Sequence, residues 1–449
     1  KRLVLSINMK ILFLVLIIIF LQSCSFDNKT GIWKNENFNK DEKENIFRDF
    51  EKFSTKTEQF NKIINIEKNY VINLPSKVKP KKWNDIHYNN RNNFDNFSYE
   101  SKNNLILKSK KITKSTTSDF LLFKKNNIIL SDHKGNLIIF SLDENKIIYK
   151  LNFYKKEFKN IKKKLNYILQ DDIIYVSDNL GYLYALDYNK KKILWAKNYK
   201  IPFRSNLKIH KKLIIAANQN NNLLFYDKKN GNLVKKIPTE ETLVKSKFID
   251  NLSLSNNNLF FLNTYGSLYS ISMDTLNVSW FLNLNSSIDP NPNNLFYSTE
   301  IINHKGKIIL SSNEFTYVID EKTGTLILKK NFIPHLKPIA IDDFLFLVTK
   351  NNLLISLDLN NGSIIYSYNV NQKIAQYLDI KKQKAQFKSM AIINNKIFIF
   401  LKNKYLLIFN INGSLKEIRK LPSKLNTFPI FANNLIFYFD QKNRLFVLN

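Results

Sequence analysis

The chain has 449 residues, 44% of them hydrophobic and 13% aromatic, which is enough apolar material for a large buried core. Its formal net charge is +32, yet only six of its 69 basic residues are Arg, and the Lys are spread over every turn with no concentrated stripe. A/T-rich codons account for the excess of Lys, Asn, Ile and Phe, which sets nucleic acid aside as a partner and leaves a diffuse attraction to acidic surfaces. A single cysteine, Cys24, rules out an intramolecular disulfide.

Met9 and Lys10 precede an unbroken apolar run over residues 11–21, followed by Gln22, Ser23 and Cys24. That run is too short to cross a bilayer, which takes about 20 residues. A positive start and a short apolar core form the pattern of an export signal, with translation expected to begin at Met9. Leu21-Gln22-Ser23-Cys24 resembles the lipobox of bacterial lipoproteins, with Gln22 departing from the commoner residue at its position. The resemblance implies cleavage before Cys24, lipidation of Cys24 and, because Ser25 rather than Asp follows, sorting to the outer membrane. Residues 1–23 are thus read as a signal and residues 24–82 as a lipidated polar tether, rich in Asn, Lys and Glu and without strand periodicity. Scattered apolar residues over positions 41–64 (Ile46, Phe47, Phe50, Phe53, Phe60, Ile63, Ile64) fit either a short helix or a disordered segment.

From residue 119 to the end, a unit made only of strands recurs about every 44 residues, the signature of a β-propeller. Four copies are plain: IIYVSDNLGYLYALDYNKKKILWAKNY (173–199), LIIAANQNNNLLFYDKKNGNLVKKI (213–237), LFFLNTYGSLYSISMDTLNVSWFLNL (259–284) and FLFLVTKNNLLISLDLNNGSIIYSYNV (344–370). Equivalent strand ends fall at Asp143, Asp187, Asp227, Ser272, Asp320, Asp358, Asn410 and Asn449, which predicts eight blades over residues 83–449. Turns such as Lys229-Asn230-Gly231, Lys322-Thr323-Gly324 and Asn360-Asn361-Gly362 have the chemistry of tight hairpins. The last blade lacks a fourth strand, and residues 104–112 (NLILKSKKI) are expected to supply it and close the ring. Large side chains at Tyr149, Trp195, Trp280, Leu328, Tyr366 and Ile418, with Lys235, recur once per blade; they are expected to pack between adjacent blades, since they cannot converge on one ligand.

The repeat "strand, (A/S)-L-D, x-x-(T/N)-G, x-x-x-W", clearest over residues 184–195, 318–328 and 355–366, resembles the pyrroloquinoline-quinone-type propeller repeat. Two lineages share it: periplasmic quinoprotein dehydrogenases, and the BamB lipoproteins of the outer-membrane β-barrel assembly machinery. A lipobox followed by one propeller is similar to the second lineage, as is the lead-in Leu74-Pro75, Trp83 and Asn89 before the first blade. That resemblance implies an all-β, eight-bladed propeller with no catalytic residues, cofactor or metal, lipid-anchored at the outer membrane. It also implies docking to the periplasmic domains of BamA and to other assembly subunits, by a propeller that is itself monomeric. By blade count the docking loops are residues 239–250 and 286–303, with Leu243, Lys245 and the rare Arg204 as candidate contacts, Lys245 standing where the family has Arg, and Asp289 and Glu300 as the acidic residues of the second loop. A quinoprotein dehydrogenase and a propeller that binds envelope polymers are the alternatives. The first needs a cofactor site and an adjacent Cys pair, which a single Cys cannot supply. The five His (His87, His133, His210, His304, His335) are isolated and lack the spacing of a zinc site.

Overall fold

The computed structural model describes residues 24–26, 33–35 and 59–449, the last without residues 101–102, 155, 242–244, 246–250, 286–295, 313 and 382–383. The chain divides into two units, Lys1–Glu58 and Gln59–Asn449. In the first, Cys24–Phe26 pairs antiparallel with Trp33–Asn35, Cys24 opposite Asn35.

The second unit is an eight-bladed propeller. Each blade is a four-stranded antiparallel sheet, and in blades 1 to 7 its four strands are consecutive in the chain. Blade 1 is Leu122–Lys124, Asn127–Ser131, Leu137–Ser141 and Lys146–Leu151; blade 2 is Leu165–Gln170, Ile173–Asp178, Tyr182–Asp187 and Lys192–Asn198. Blade 3 is Lys208–His210, Leu213–Ala217, Leu223–Asp227 and Leu233–Ile237; blade 4 is Leu252–Leu254, Asn258–Leu262, Ser267–Ser272 and Val278–Asn283. Blade 5 is Ile302–His304, Lys307–Ser311, Thr316–Asp320 and Leu326–Lys330; blade 6 is Ile339–Ile341, Phe344–Val348, Leu353–Asp358 and Ile364–Asn369. Blade 7 is Phe387–Ile393, Lys396–Leu401, Tyr405–Asn410 and Leu415–Lys420. Blade 8 is Ile430–Ala432, Leu435–Phe439 and Arg444–Leu448, completed by Leu105–Lys111. That closing strand runs antiparallel to the last strand of the chain, and Asn104 and Asn449 exchange backbone hydrogen bonds of 2.7 and 2.9 Å.

Burial follows the radial order. Second and third strands are near-continuous apolar runs, buried on both faces by neighbouring blades, whereas most fourth strands are Lys-bearing and half exposed. In blades 1 to 6 the outer pair carries a β-bulge just before the recurrent large residue, Leu194 being the extra residue ahead of Trp195 and Ser279 the one ahead of Trp280, and in blade 7 the bulge at Lys416 falls one residue earlier. The large residue then docks on the hairpin of the next blade. Trp195 Nε1 donates to Lys228 O at 3.2 Å, and Trp280 Nε1 to Glu321 O at 3.2 Å. The rings lie flat against Gly231 and Gly324, both at φ +73, where an added Cβ would fall 2.5 and 2.6 Å from the indoles. The strand-ending Asp residues cap the same hairpins: Asp227 Oδ1 accepts from Lys229 N at 2.7 Å, and Asp320 Oδ1 from Thr323 N at 2.8 Å.

Two stretches differ from the sequence reading. Residues 59–82, expected to be tether, belong to the propeller unit: Ile64 pairs with Ser367 on the outer strand of blade 6, Ile66 N donates to Tyr368 OH at 3.1 Å, and Ile72 is buried against blades 6 and 7. Their apolar residues are too sparse for a strand period yet enough to cover one blade edge. Helix α1, Val370–Leu378, breaks the all-strand pattern between blades 6 and 7; Asn369 caps it by accepting from Gln372 N at 3.2 Å.

Candidate docking face and channel plug

Residues 80–97, within the lead-in expected before the first blade, form no blade of their own. They wind once around the central channel and touch the eight blades in turn. Pro80 O accepts from Asn433 N of blade 8 at 2.9 Å; Trp83 exchanges two 2.9 Å backbone bonds with Phe123 of blade 1; Asn84 O accepts from Leu169 N of blade 2 at 2.8 Å. Asn90 O accepts from Leu254 N of blade 4 at 2.9 Å, and Arg91 O from Asn303 N of blade 5 at 3.0 Å. Asn93 bonds Ala340 of blade 6 through both ends of its amide, and Asn96–Phe97 pairs parallel with blade 7 at Ile392 and Ile393. Blade 3 is reached by an ion pair. Lys208 Nζ lies 2.7 Å from Asp85 Oδ2, 2.6 Å from Asn92 Oδ1 and 3.1 Å from Asn89 O, with no exposure of the lysine side chain. A Lys in an inner strand is tolerated because partners from the plug saturate its ammonium.

The connections from each fourth strand to the next blade share one face with the turns between second and third strands. These turns repeat an Asx pattern with a left-handed fourth residue: Asp132 with Gly135, Asp178 with Gly181, Asn263 with Gly266 and Asp440 with Asn443. The sequence reading missed this second ring, although the recurring D/N-x-x-G/N was its signal. A cavity of about 380 Å³ opens at the channel mouth on this face, lined by Trp83, Ile86 and Phe94 of the plug and by the approaches to blades 1, 5, 6, 7 and 8. Lys388 Nζ sits 2.8 Å from Asp119 Oδ1 and 4.4 Å from the Phe428 ring, and Lys337 Nζ 4.1 Å from the Phe94 ring. His87 is buried here, its backbone N–H donated to Asp85 Oδ1 at 2.8 Å. Burial, and then the charge of Lys337, push its pKa down to about 3, so its ring is neutral at physiological pH.

The expected contact residues that the structure describes, Arg204, Lys245 and Glu300, belong to this face. Arg204 lies on the connection into blade 3, its N–H donated to Ala217 O at 2.9 Å; its Nε is buried without an acceptor, and burial lowers its pKa. Lys245, on the next connection, is exposed and 3.7 Å from Glu241. Glu300 lines the cavity, 4.0 Å from His87 Nδ1. Leu243 and Asp289 lie outside the described residues. The base of the 239–250 connection is fixed by Glu240, a residue the sequence did not single out. Its carboxylate accepts from Asn263 Nδ2 and Tyr269 OH at 2.7 Å and from Ser267 Oγ at 3.1 Å. Burial opposes ionisation of this carboxyl, but those donors outweigh it and hold its pKa below the usual range. Among the described residues no three His, Cys, Asp or Glu are grouped to hold a metal ion, and no helix is long and apolar enough to cross a membrane.

Comparison with known proteins places this architecture. The family described as outer membrane protein assembly factor BamB matches residues 167–368, which run from blade 2 to blade 6. No curated protein sequence gives a significant match. Among solved structures, BamB from Moraxella catarrhalis superposes with a TM-score of 0.61 at 11% identity, over 78% of this chain and 100% of that one. A quinohemoprotein alcohol dehydrogenase from Comamonas testosteroni reaches the same TM-score of 0.61 at 10% identity, over 82% of this chain and 80% of that one. The computationally designed Ika8 protein gives 0.57 at 12% identity, over 77% and 99%. Likenesses at such identity establish the fold alone. With the family match over residues 167–368, they show that the chain is similar to BamB and shares its propeller fold.

Proposed function

We propose that this BamB-like propeller is a non-enzymatic scaffold lipoprotein of the outer-membrane β-barrel assembly machinery. It is held by lipid at Cys24 to the periplasmic face of the outer membrane, docks the periplasmic domains of BamA and other assembly subunits, and aids insertion of outer-membrane proteins. The observation that carries the reading is the BamB family match across blades 2 to 6. The plug supports it. Residues 80–97 occupy the channel and tie all eight blades together through backbone bonds, the Asn93 amide and the Lys208–Asp85 pair, as suits a rigid platform rather than an open cofactor cradle. The connections bearing Arg204, Leu243 and Lys245 flank blades 3 and 4, and the Glu240 network anchors the second of them. The mechanism is positioning: the face presents loops and strand edges that hold partner domains in one orientation.

The test is capture of the lipidated protein from gently solubilised envelopes, with mass spectrometry of what accompanies it. Recovery of a barrel protein with repeated periplasmic domains, lost in a triple substitution of Leu243, Lys245 and Arg204 to Ala, is the expected result. Efficient recovery of folded bait without such a protein would overturn the assembly role; quinone absorbance in that bait would move the reading to the dehydrogenase lineage.

A further inference from the structure

The outer edges of the blades are not alike. Fourth strands carry Lys or Arg in blades 1 (KIIYKL), 2 (KILWAKN), 3 (LVKKI), 5 (LILKK) and 7 (LKEIRK), and the closing strand of blade 8 (LILKSKK) does too. Such charges block edge-to-edge pairing. Two outer strands carry none: Ile364–Asn369 of blade 6 (IIYSYN) and Val278–Asn283 of blade 4 (VSWFLN).

Blade 6 shows what an uncharged edge takes. Ile64 N donates to Ser367 O at 3.0 Å and Ser367 N to Ile64 O at 2.9 Å, so an extended segment of the chain itself pairs with this edge, and Ser367 is wholly buried. Ser367 is the residue just after the bulge and the docking Tyr366. The same register position is Lys150 in blade 1, Lys236 in blade 3 and Lys329 in blade 5, and the uncharged Ala196 and Ile418 in blades 2 and 7, whose outer strands carry their Lys or Arg at neighbouring positions. In blade 4 it is Phe281, which pairs inward with Tyr269 and is 63% exposed. By the shared register its N–H and C=O point outward as those of Ser367 do. Among the described residues nothing pairs with them.

We infer that the outer strand of blade 4, from Trp280 to Asn283, is a docking edge for an extended strand of a partner protein, which adds to the sheet antiparallel and is centred on Phe281. The occupant is defined by chemistry. It offers unpaired backbone groups, carries Thr, Val or aromatic side chains opposite the uncharged rim, and lacks Lys and Arg in its pairing residues, because the chain's +32 charge and the Lys-bearing edges of blades 3 and 5 repel cations. The edge lies between the two connections assigned to partner docking, so it deepens the scaffold reading and rests on it for the partner's identity alone.

The test uses the full chain and a fluorescein-labelled, end-capped peptide, Thr-Val-Thr-Tyr-Thr-Val-Thr, followed by fluorescence anisotropy. Phe281→Lys installs the residue that sister blades carry, so the fold tolerates it, and it should weaken binding at least tenfold. Phe281→Ser installs the residue that blade 6 uses and should retain binding within threefold, because backbone groups carry the contact. Saturable binding with that order of variants supports the edge. No binding to the wild type, equal binding to wild type and Phe281→Lys, or equal loss in both variants would overturn it. So would sedimentation showing a wild-type dimer that Phe281→Lys converts to monomer, since the occupant would then be a second copy. A peptide-binding wild type that captures no barrel protein from envelopes would overturn the assembly reading while leaving the edge in place.

Discussion

Replacing Lys208 with Met tests whether the plug is a structural keystone. The ammonium and the Asp85 carboxylate are 2.7 Å apart with side chains 0% and 5% exposed, so neither is solvated by water. At an effective dielectric near 20, Coulomb attraction at that distance is about 6 kcal/mol, most of it offset by the cost of desolvating both ions. Lys208→Met keeps the volume but strands the carboxylate, with only the His87 N–H left to it at 2.8 Å among the bonds above, and it also removes the donor from Asn92 Oδ1 and Asn89 O. Breaking one side of such a buried pair costs about 3–5 kcal/mol. Replacing both sides by apolar groups of similar shape is far milder, so Asp85→Leu with Lys208→Met should recover most of the loss. Urea unfolding of the full chain gives the three free energies. Hydrogen exchange at Leu169, Leu254 and Asn303, whose amides bond the plug, should quicken in the single variant. A loss under about 1 kcal/mol for Lys208→Met, or a double variant as unstable as the sum of the singles, would refute the argument.

Three further outcomes follow from the geometry. Gly324→Ala places a Cβ 2.6 Å from the Trp280 ring at φ +73, so unfolding free energy should fall by about 2 kcal/mol or more, with a shift in tryptophan emission; an unchanged urea midpoint would contradict ring-on-glycine docking. His87 has a folded pKa of about 3 against an ordinary 6.5, so its unfolded form alone binds a proton between those values. Its contribution is therefore complete above pH 6.5 and is lost as pH falls toward 3, at up to about 1.4 kcal/mol per pH unit; His87→Gln should flatten the urea-midpoint profile in that window relative to wild type. Cys24→Ser should release the protein from membranes while its circular dichroism stays that of the folded propeller, and membrane retention of this variant would remove the lipid anchor from the proposal.

Much of the architecture is local chemistry repeated, and that is why it was legible. An apolar strand, an Asp that caps a hairpin and a Gly or Asn that takes a left-handed angle are decided within a dozen residues, so the period, the eight blades and the hairpins at Gly231, Gly324 and Gly362 can be read directly. The closing strand at Leu105–Lys111 was legible for a related reason: an apolar strand without a partner and a blade without a strand leave one solution. The channel plug was not legible. Its residues reach successive blades at irregular intervals, Asn92 alone bonding Lys208, Leu252 and Ile301, so its contacts share no period, and its chemistry (Asn84, Asn90, Asn92, Asn93) resembles that of any polar loop. Lys208 carries the same lesson, since a Lys beside His210 reads as solvated until Asp85 and Asn92 arrive from more than a hundred positions away. Sequence alone determined the blades, because each is stabilised by neighbours in the chain; only the tertiary structure decided what fills the channel, which edge is covered by residues 60–66 and which has no partner at Phe281 among the described residues, because those depend on where distant segments come to rest.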